Sequence, residues 1–92
     1  MRFRKRPIII EAMRVPQGTS DDAVYMWGRI AHWLGPGGGW RLNDQHGIDI
    51  DTLEGTMRAD PGDWVVRGVK GELYPIKDDI LRETYDLIGD EP

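Results

Sequence analysis

The chain has 92 residues, of which 39% are hydrophobic and 30% are charged. This length allows one domain with a thin core, and the composition is that of a folded chain. The chain has no cysteine, which excludes disulfides, thiol catalysis and thiolate metal centres, and no apolar run approaches the ~18 residues of a membrane-spanning helix.

The net charge of −4 is unevenly divided along the chain. Residues 1–14 carry a net charge of +4, and the remaining residues carry −8. The four cations of the first six residues form what we call the basic arm: Arg2, Arg4, Lys5 and Arg6. Such an arm can contact phosphate or an acidic protein surface, or it can keep an edge strand from pairing with another chain. The acidic remainder disfavours nucleic acid as a partner.

The first half of the chain predicts a strand, a helix and a loop. Residues 2–15 have the β-branched residues of a strand that is covered on both faces. Ser20 is the predicted N-cap of an amphipathic helix that runs to about Leu34. Its apolar stripe is Ala23, Trp27, Ile30, Ala31 and Leu34, and its polar face holds Tyr25, Arg29 and His32. Residues 35–39 predict a flexible glycine-rich loop.

The second half predicts short strands joined by turns. Residues 40–43 and 48–53 form one hairpin, residues 56–59 a further strand, and residues 60–63 a type II turn. Residues 64–69 and 72–77 form the last hairpin. A short helix over residues 80–85, capped by Asp78 or Asp79, and an extended tail at residues 87–88 follow.

The loop length of the last hairpin decides which side chains meet across it. A two-residue loop would pair Arg67 with Tyr74 and Trp64 with Lys77 as cation–π contacts, and a loop one residue longer would remove both pairs. In either case both faces of this hairpin carry apolar side chains. A single helix covers only one of them, so the other requires the N-terminal strand or a second copy of the chain.

These elements predict an α+β fold in one domain, residues 1–92. We expect one small, strongly bent antiparallel sheet of five to seven strands, packed by one amphipathic helix, with a short C-terminal helix. The uncovered sheet face favours a homodimer.

Catalytic and metal-binding patterns are weak. Ser20, the only serine, is explained by helix capping, and neither His32 nor His46 has a nucleophile at motif spacing. Asp49 and Asp51 share one face of a strand, as the polar side of a half-buried strand does, and belong to no metal-binding motif. We therefore expect no enzymatic activity, no cofactor and no metal.

Four tryptophans are an unusual number for this length. Trp27 is predicted in the core, whereas Trp40 and Trp64 adjoin turns and are candidates for an interaction surface. The candidate binding residues are Trp40, Trp64, Arg67, Tyr74 and Lys77. In one arrangement Trp64 and Tyr74 would stack on a base, with Arg67 and Lys77 near phosphate.

Residues 52–57, 59–77 and 84–85 carry a resemblance. They read TLEGTM, ADPGDWVVRGVKGELYPIK and TY, and they resemble a widespread family of small proteins encoded by bacteriophages and prophages, with a more weakly similar start at residues 2–7. The family commonly has Cys-Lys-Pro where this chain has Ile76, Lys77 and Asp78. The resemblance implies a phage or prophage origin and a setting in the host bacterial cytoplasm, and it transfers no catalytic residue.

Three binding functions stay open at this point, with an undiscovered hydrolase as the fourth alternative. The first is a phage accessory protein that acts by binding a host protein, without catalysis. The second is a small-molecule binder that sequesters a nucleotide signal of host defence. The third is a nucleic-acid binder that uses the basic arm, which predicts a steep dependence on salt.

Overall fold

The computed structural model describes residues 1–89 and confirms the α+β class. Within these residues six short strands and two helices follow one another. They are β1 (Glu11–Arg14), α1 (Asp21–Leu34), β2 (Trp40–Leu42), β3 (Ile48–Thr52), β4 (Gly55–Ala59), β5 (Trp64–Arg67), β6 (Leu73–Ile76) and α2 (Asp78–Thr84).

The strands form two three-stranded antiparallel sheets instead of the single bent sheet that we predicted. The first sheet has the order β1-β5-β6 and the second the order β2-β3-β4. The turn at residues 60–63 separates them, because it is tied to the end of β1. The Gly62 N–H donates to the Val15 carbonyl at 2.9 Å, and the Val15 N–H donates to the Asp63 carbonyl at 2.8 Å. The chain therefore leaves the second sheet here and pairs with β1.

The N-terminal strand is shorter than predicted. Only Glu11–Arg14 pair, because the partner strand β5 ends at Arg67, which lies opposite Glu11. The residues before Glu11 form no regular element. Ile9 is 75% exposed, so the strand covered on both faces that we predicted over residues 2–15 is wrong for its first half.

Helix α1 follows the prediction closely. The Ser20 hydroxyl caps it by accepting from the Ala23 N–H at 3.2 Å, and the helix ends at Leu34. Within its stripe Ala23, Ile30 and Leu34 are buried and Trp27 is partly buried against the core, whereas Ala31 is exposed. The core lies between α1 and both sheets and consists of Met13, Val15, Ile30, Leu34, Ile48, Ile50, Ala59 and Val65.

The last hairpin has the longer of the two loops that we considered. The Gly68 N–H donates to the Glu72 carbonyl at 2.8 Å, and Arg67 lies opposite Leu73. A shift of one residue moves a side chain to the other face of a sheet, so Arg67 and Tyr74 lie on opposite faces. The two predicted cation–π pairs are therefore wrong. The arginines that lie over rings are Arg67, 4.3 Å from the centre of Trp33, and Arg14, 5.8 Å from that of Trp64.

Helix α2 and the residue after it border the outer face of the first sheet. The Trp64 indole N–H donates to Asp78, the first residue of α2, and Val66 on the same face is fully buried. The helix spans Asp78–Thr84, two residues earlier at its start than predicted, and its N-cap is Lys77, whose side chain makes no capping hydrogen bond. Leu87 and Ile88 are exposed and form no strand.

Candidate functional site

The Pro-Gly-Asp-Trp segment, residues 61–64, is part of the resemblance, and its residues make contacts that hold the fold together. The Asp63 carboxylate is buried and accepts from the Asp60 N–H and from the Lys77 ammonium, both at 2.9 Å. Gly62 has a φ of +91°, which favours glycine. The Arg14 guanidinium donates to the Gly62 carbonyl at 3.0 Å. These contacts explain the segment as the join between the two sheets.

A second network ties α2 to the first sheet. The Asp78 carboxylate accepts from the Trp64 indole and from the Arg82 guanidinium, both at 2.9 Å, and Arg14 lies 3.6 Å away. The hydrogen bond from Trp64, followed by the hydrogen bond and charge of Arg82 and the charge of Arg14, lowers the pKa of Asp78. Trp64 is thus engaged within the chain.

The candidate residues from the sequence do not converge on one site. The Trp40 indole N–H donates to the Gly35 carbonyl at 2.9 Å, and the ring packs against the core. Trp64 and Tyr74 lie on the face of the first sheet that α2 borders. There burial, and then the neighbouring Tyr85, raise the pKa of Tyr74. Arg67 lies on the opposite face, and the Lys77 ammonium is held by Asp63. The nucleotide pocket that we outlined is therefore not assembled.

The structure places a different depression between α1 and the start of β1. It has a volume of about 740 Å³, is open to solvent, and is called the α1–β1 groove here. Its lining residues are Glu11, Val24, Tyr25, Gly28, Arg29, His32 and Trp33. Val24 and Tyr25 are each 65% exposed, so the groove offers apolar and aromatic surface that the fold itself does not use.

Arg67 contacts Trp33, one of the residues that line the groove. Its guanidinium stacks on the Trp33 ring and donates to the Trp33 carbonyl at 2.6 Å, near the end of α1. A cation is favourable at that helix end, because the last carbonyls of a helix carry partial negative charge. Arg67 also lies 4.0 Å from Glu11. It thereby balances the one carboxylate of the groove and leaves Arg29 and His32 as its remaining basic side chains.

The Trp33 indole nitrogen is buried and has no hydrogen-bond partner within residues 1–89. An unpaired buried N–H costs about 1–3 kcal/mol. The stacking of Arg67 on the same ring opposes this cost and holds the ring in place. Trp33 is therefore a fixed part of the groove wall.

The basic arm extends away from the packed residues. All of its cations are exposed, and none forms an ion pair within the described part of the chain. Phe3, between two of them, is 89% exposed. The arm leads through residues 7–10 into β1 and so adjoins the groove along the chain.

In residues 1–89 no three histidine or acidic side chains lie together as metal ligands would. Neither α1 nor α2 is long and apolar enough to cross a bilayer.

Comparison of the chain with protein-family models, curated proteins and solved structures gives no match. The resemblance to the phage family therefore stays a prediction.

The sequence placed the groove residues of α1 on two faces of the helix, Val24 and Trp33 beside the apolar stripe and the others on the polar face. Tyr25, Arg29 and His32 are exposed as that pattern predicts. The overlooked signal is that Val24 and Tyr25 adjoin Gly28 on the helix surface, a combination that leaves an apolar hollow. Its position beside Glu11 depends on the pairing of β1 with β5, which the sequence did not reveal.

Proposed function

We propose that this protein acts by binding a host protein, without catalysis, as a phage or prophage accessory protein in the bacterial cytoplasm. The observation that carries the proposal is the α1–β1 groove, in which exposed Val24 and Tyr25 adjoin the basic Arg29 and His32. Aromatic residues and arginine are the side chains that dominate binding at protein interfaces.

The shape of the groove supports binding over chemistry. Catalytic sites commonly exclude water from a deep concave pocket, where a charge or a proton can be stabilised. This groove is shallow and open. Its one acidic residue, Glu11, lies beside the cation of Arg67. A surface of this kind suits the side chains of a partner protein.

The test compares capture from a bacterial lysate by two matched double variants. Tyr25→Ala with Arg29→Glu removes the aromatic side chain and reverses one charge in the groove. Leu53→Ala with Lys70→Glu makes comparable changes at exposed turn residues outside it. A captured protein is identified, purified and titrated against all three proteins. We expect at least ten-fold weaker binding by the groove variant alone, and equal binding by both variants would refute the proposal.

A homodimer is the second part of the proposal. The apolar sheet face that suggested it is bordered by Asp78 and Tyr85, and its central Val66 is fully buried. A dimer would therefore use other exposed apolar residues, such as Leu42 on the second sheet. Light scattering on the purified chain distinguishes a mass of 10.5 kDa from twice that value.

Nucleic-acid binding through the basic arm is the alternative that one observation favours. The arm's cations form no ion pairs within residues 1–89, and the exposed Phe3 could stack on a base. This alternative predicts an affinity that falls steeply with salt and is lost on deletion of residues 1–6. Binding that resists salt would exclude it.

A further inference from the structure

The groove lies beside an unpaired sheet edge. Strand β1 is the outermost strand of the first sheet and pairs with β5 on one side only. Backbone groups alternate in direction along a strand. Since Val15 bonds toward the β5 side, this alternation directs the N–H and C=O groups of Ala12 and Arg14 toward the open edge. Within residues 1–89 these groups have no backbone partner there.

We infer that the groove binds an extended, acidic peptide segment of the partner, which pairs with β1 as a fourth strand of the first sheet. This inference rests on the proposed function and specifies its partner. A strand added to a sheet edge gains affinity from main-chain hydrogen bonds and specificity from the side chains that alternate along it.

The space beside β1 fits a fourth strand. Neighbouring strands lie about 4.8 Å apart, so an added strand would lie along β1 with α1 at its flank. Every second side chain would then face Val24, Tyr25 and Gly28. A Cβ placed on Gly28 meets no atom within 4 Å, so this position leaves room for a side chain of the added strand.

The charges at this end of the molecule favour an acidic segment. Arg29 and His32 line the groove, and Glu11 lies near the cation of Arg67. The basic arm adds four cations immediately before β1, whereas the chain after residue 14 has a net charge of −8. An acidic segment is thus attracted to this end and repelled by the rest, which orients it on encounter.

The same charges argue against the other occupants of the groove. A second copy would have to offer an acidic extended segment. Two end segments of the described chain form no helix or strand: residues 1–10, which carry the basic arm, and residues 85–89, which contain one acidic residue. The arm would be repelled by Arg29, and residues 85–89 carry a single acidic side chain, so an acidic partner segment is the favoured occupant.

The test uses two pools of eight-residue peptides. Valine, isoleucine, tyrosine or phenylalanine alternate with glutamate in one pool and with lysine in the other, and each pool has a version with alternate backbone nitrogens methylated. Fluorescence anisotropy measures binding to the full chain. We expect the acidic pool to bind at least ten-fold tighter than the basic pool and than its own methylated version, because methylation removes the main-chain hydrogen bonds.

A variant of the protein locates the site. Gly28→Gln fills the hollow and also favours the helix, since glutamine is a better helix former than glycine. It should therefore fold and bind the acidic pool at least ten-fold more weakly. Ala31→Gln, at an exposed position of α1 that does not line the groove, should bind as the natural chain does. Amide exchange at Ala12 and Arg14 should slow when the acidic pool is added.

Two results would overturn the inference. One is no binding of the acidic pool, and the other is binding that methylation or Gly28→Gln leaves unchanged. If a purified host protein still loses affinity for the Tyr25→Ala, Arg29→Glu variant, the proposed function survives and only the extended acidic segment is refuted.

Discussion

Asp63 is the buried carboxylate on which the turn between the two sheets depends. Its carboxylate accepts from the Asp60 N–H and the Lys77 ammonium. We expect Asp63→Asn to lower the free energy of unfolding by about 1–3 kcal/mol, because an amide oxygen accepts both bonds less well and no longer attracts the cation. Urea denaturation measures this loss. Asp44→Asn, at an exposed turn residue, is the control, and equal stability of the two variants would contradict the role of Asp63.

Gly62 tests whether the turn depends on its backbone conformation. Its φ is +91°, and a Cβ there would lie 2.8 Å from the end of the Gln17 side chain. Since Gln17 can move, we expect the conformational cost to dominate, so that Gly62→Ala lowers the free energy of unfolding by about 1–2 kcal/mol. Adding Gln17→Ala should recover little of it. Full recovery in the double variant would show that a steric clash, and not the backbone, sets the cost.

Asp78 gives the fold a dependence on acidic pH. Its pKa is lowered in the folded chain, first by the hydrogen bond from Trp64. The pKa of Asp51 is also lowered, first by the hydrogen bond from Arg41. A lowered carboxyl pKa stabilises the fold above the pKa of the unfolded chain, and this contribution is lost as the pH falls through the folded value.

The expected result is a free energy of unfolding that falls as the pH drops below about 4. Asp78→Asn removes one of the two carboxylates and should make this fall shallower, whereas Asp44→Asn should leave its slope unchanged. Urea titrations at a series of pH values measure the slope. An unchanged slope in Asp78→Asn would mean that the network around Trp64 contributes nothing to acid stability.

Helix α1 is joined to the first sheet through Arg67. The planar guanidinium both stacks on Trp33 and donates to its carbonyl, and an ammonium group cannot reproduce the stacking. We expect Arg67→Lys to lower the free energy of unfolding by about 1–2 kcal/mol. Arg58→Lys, on an exposed strand, should change it by no more than about 0.5 kcal/mol. Equal effects in chemical denaturation would show that the stacking is energetically neutral.

The elements differ in how far the sequence predicts them, and the difference follows from the range of their interactions. Ser20 and the apolar stripe define α1 locally, and the Pro61-Gly62 pair defines its turn locally. The pairing of β1 with β5 joins residues about fifty positions apart and leaves no local signal. In the last hairpin one additional loop residue moves Arg67 to the other face, so the loop length, which the sequence left open, decides which side chains meet across it.

The candidate site was likewise predictable only where it depends on local sequence. The sequence predicts that Tyr25, Arg29 and His32 are exposed, because that requires only the helical period. The groove also needs β1 beside that face of α1, which is a long-range property. Trp40 and Trp64 were candidates for either the core or an interaction surface, and their indole N–H groups bond within the chain.

At one end of the molecule, positively charged side chains lie near the unpaired edge of the first sheet. The basic arm, Arg29 and His32 adjoin the unpaired edge of β1, while most of the acidic residues lie elsewhere along the chain. Positive side chains near an edge strand discourage its pairing with a second copy. The same charges attract an acidic partner, so one arrangement serves both selectivity and binding.

Hydrogen exchange of the purified chain, free and bound to a captured host protein, shows whether the partner binds at the α1–β1 groove and the edge of β1. The account predicts slower amide exchange in Glu11–Arg14 and along the groove side of α1, with little change in the second sheet. Protection confined to the second sheet, β2 to β4, with α1 and β1 unchanged, would contradict it.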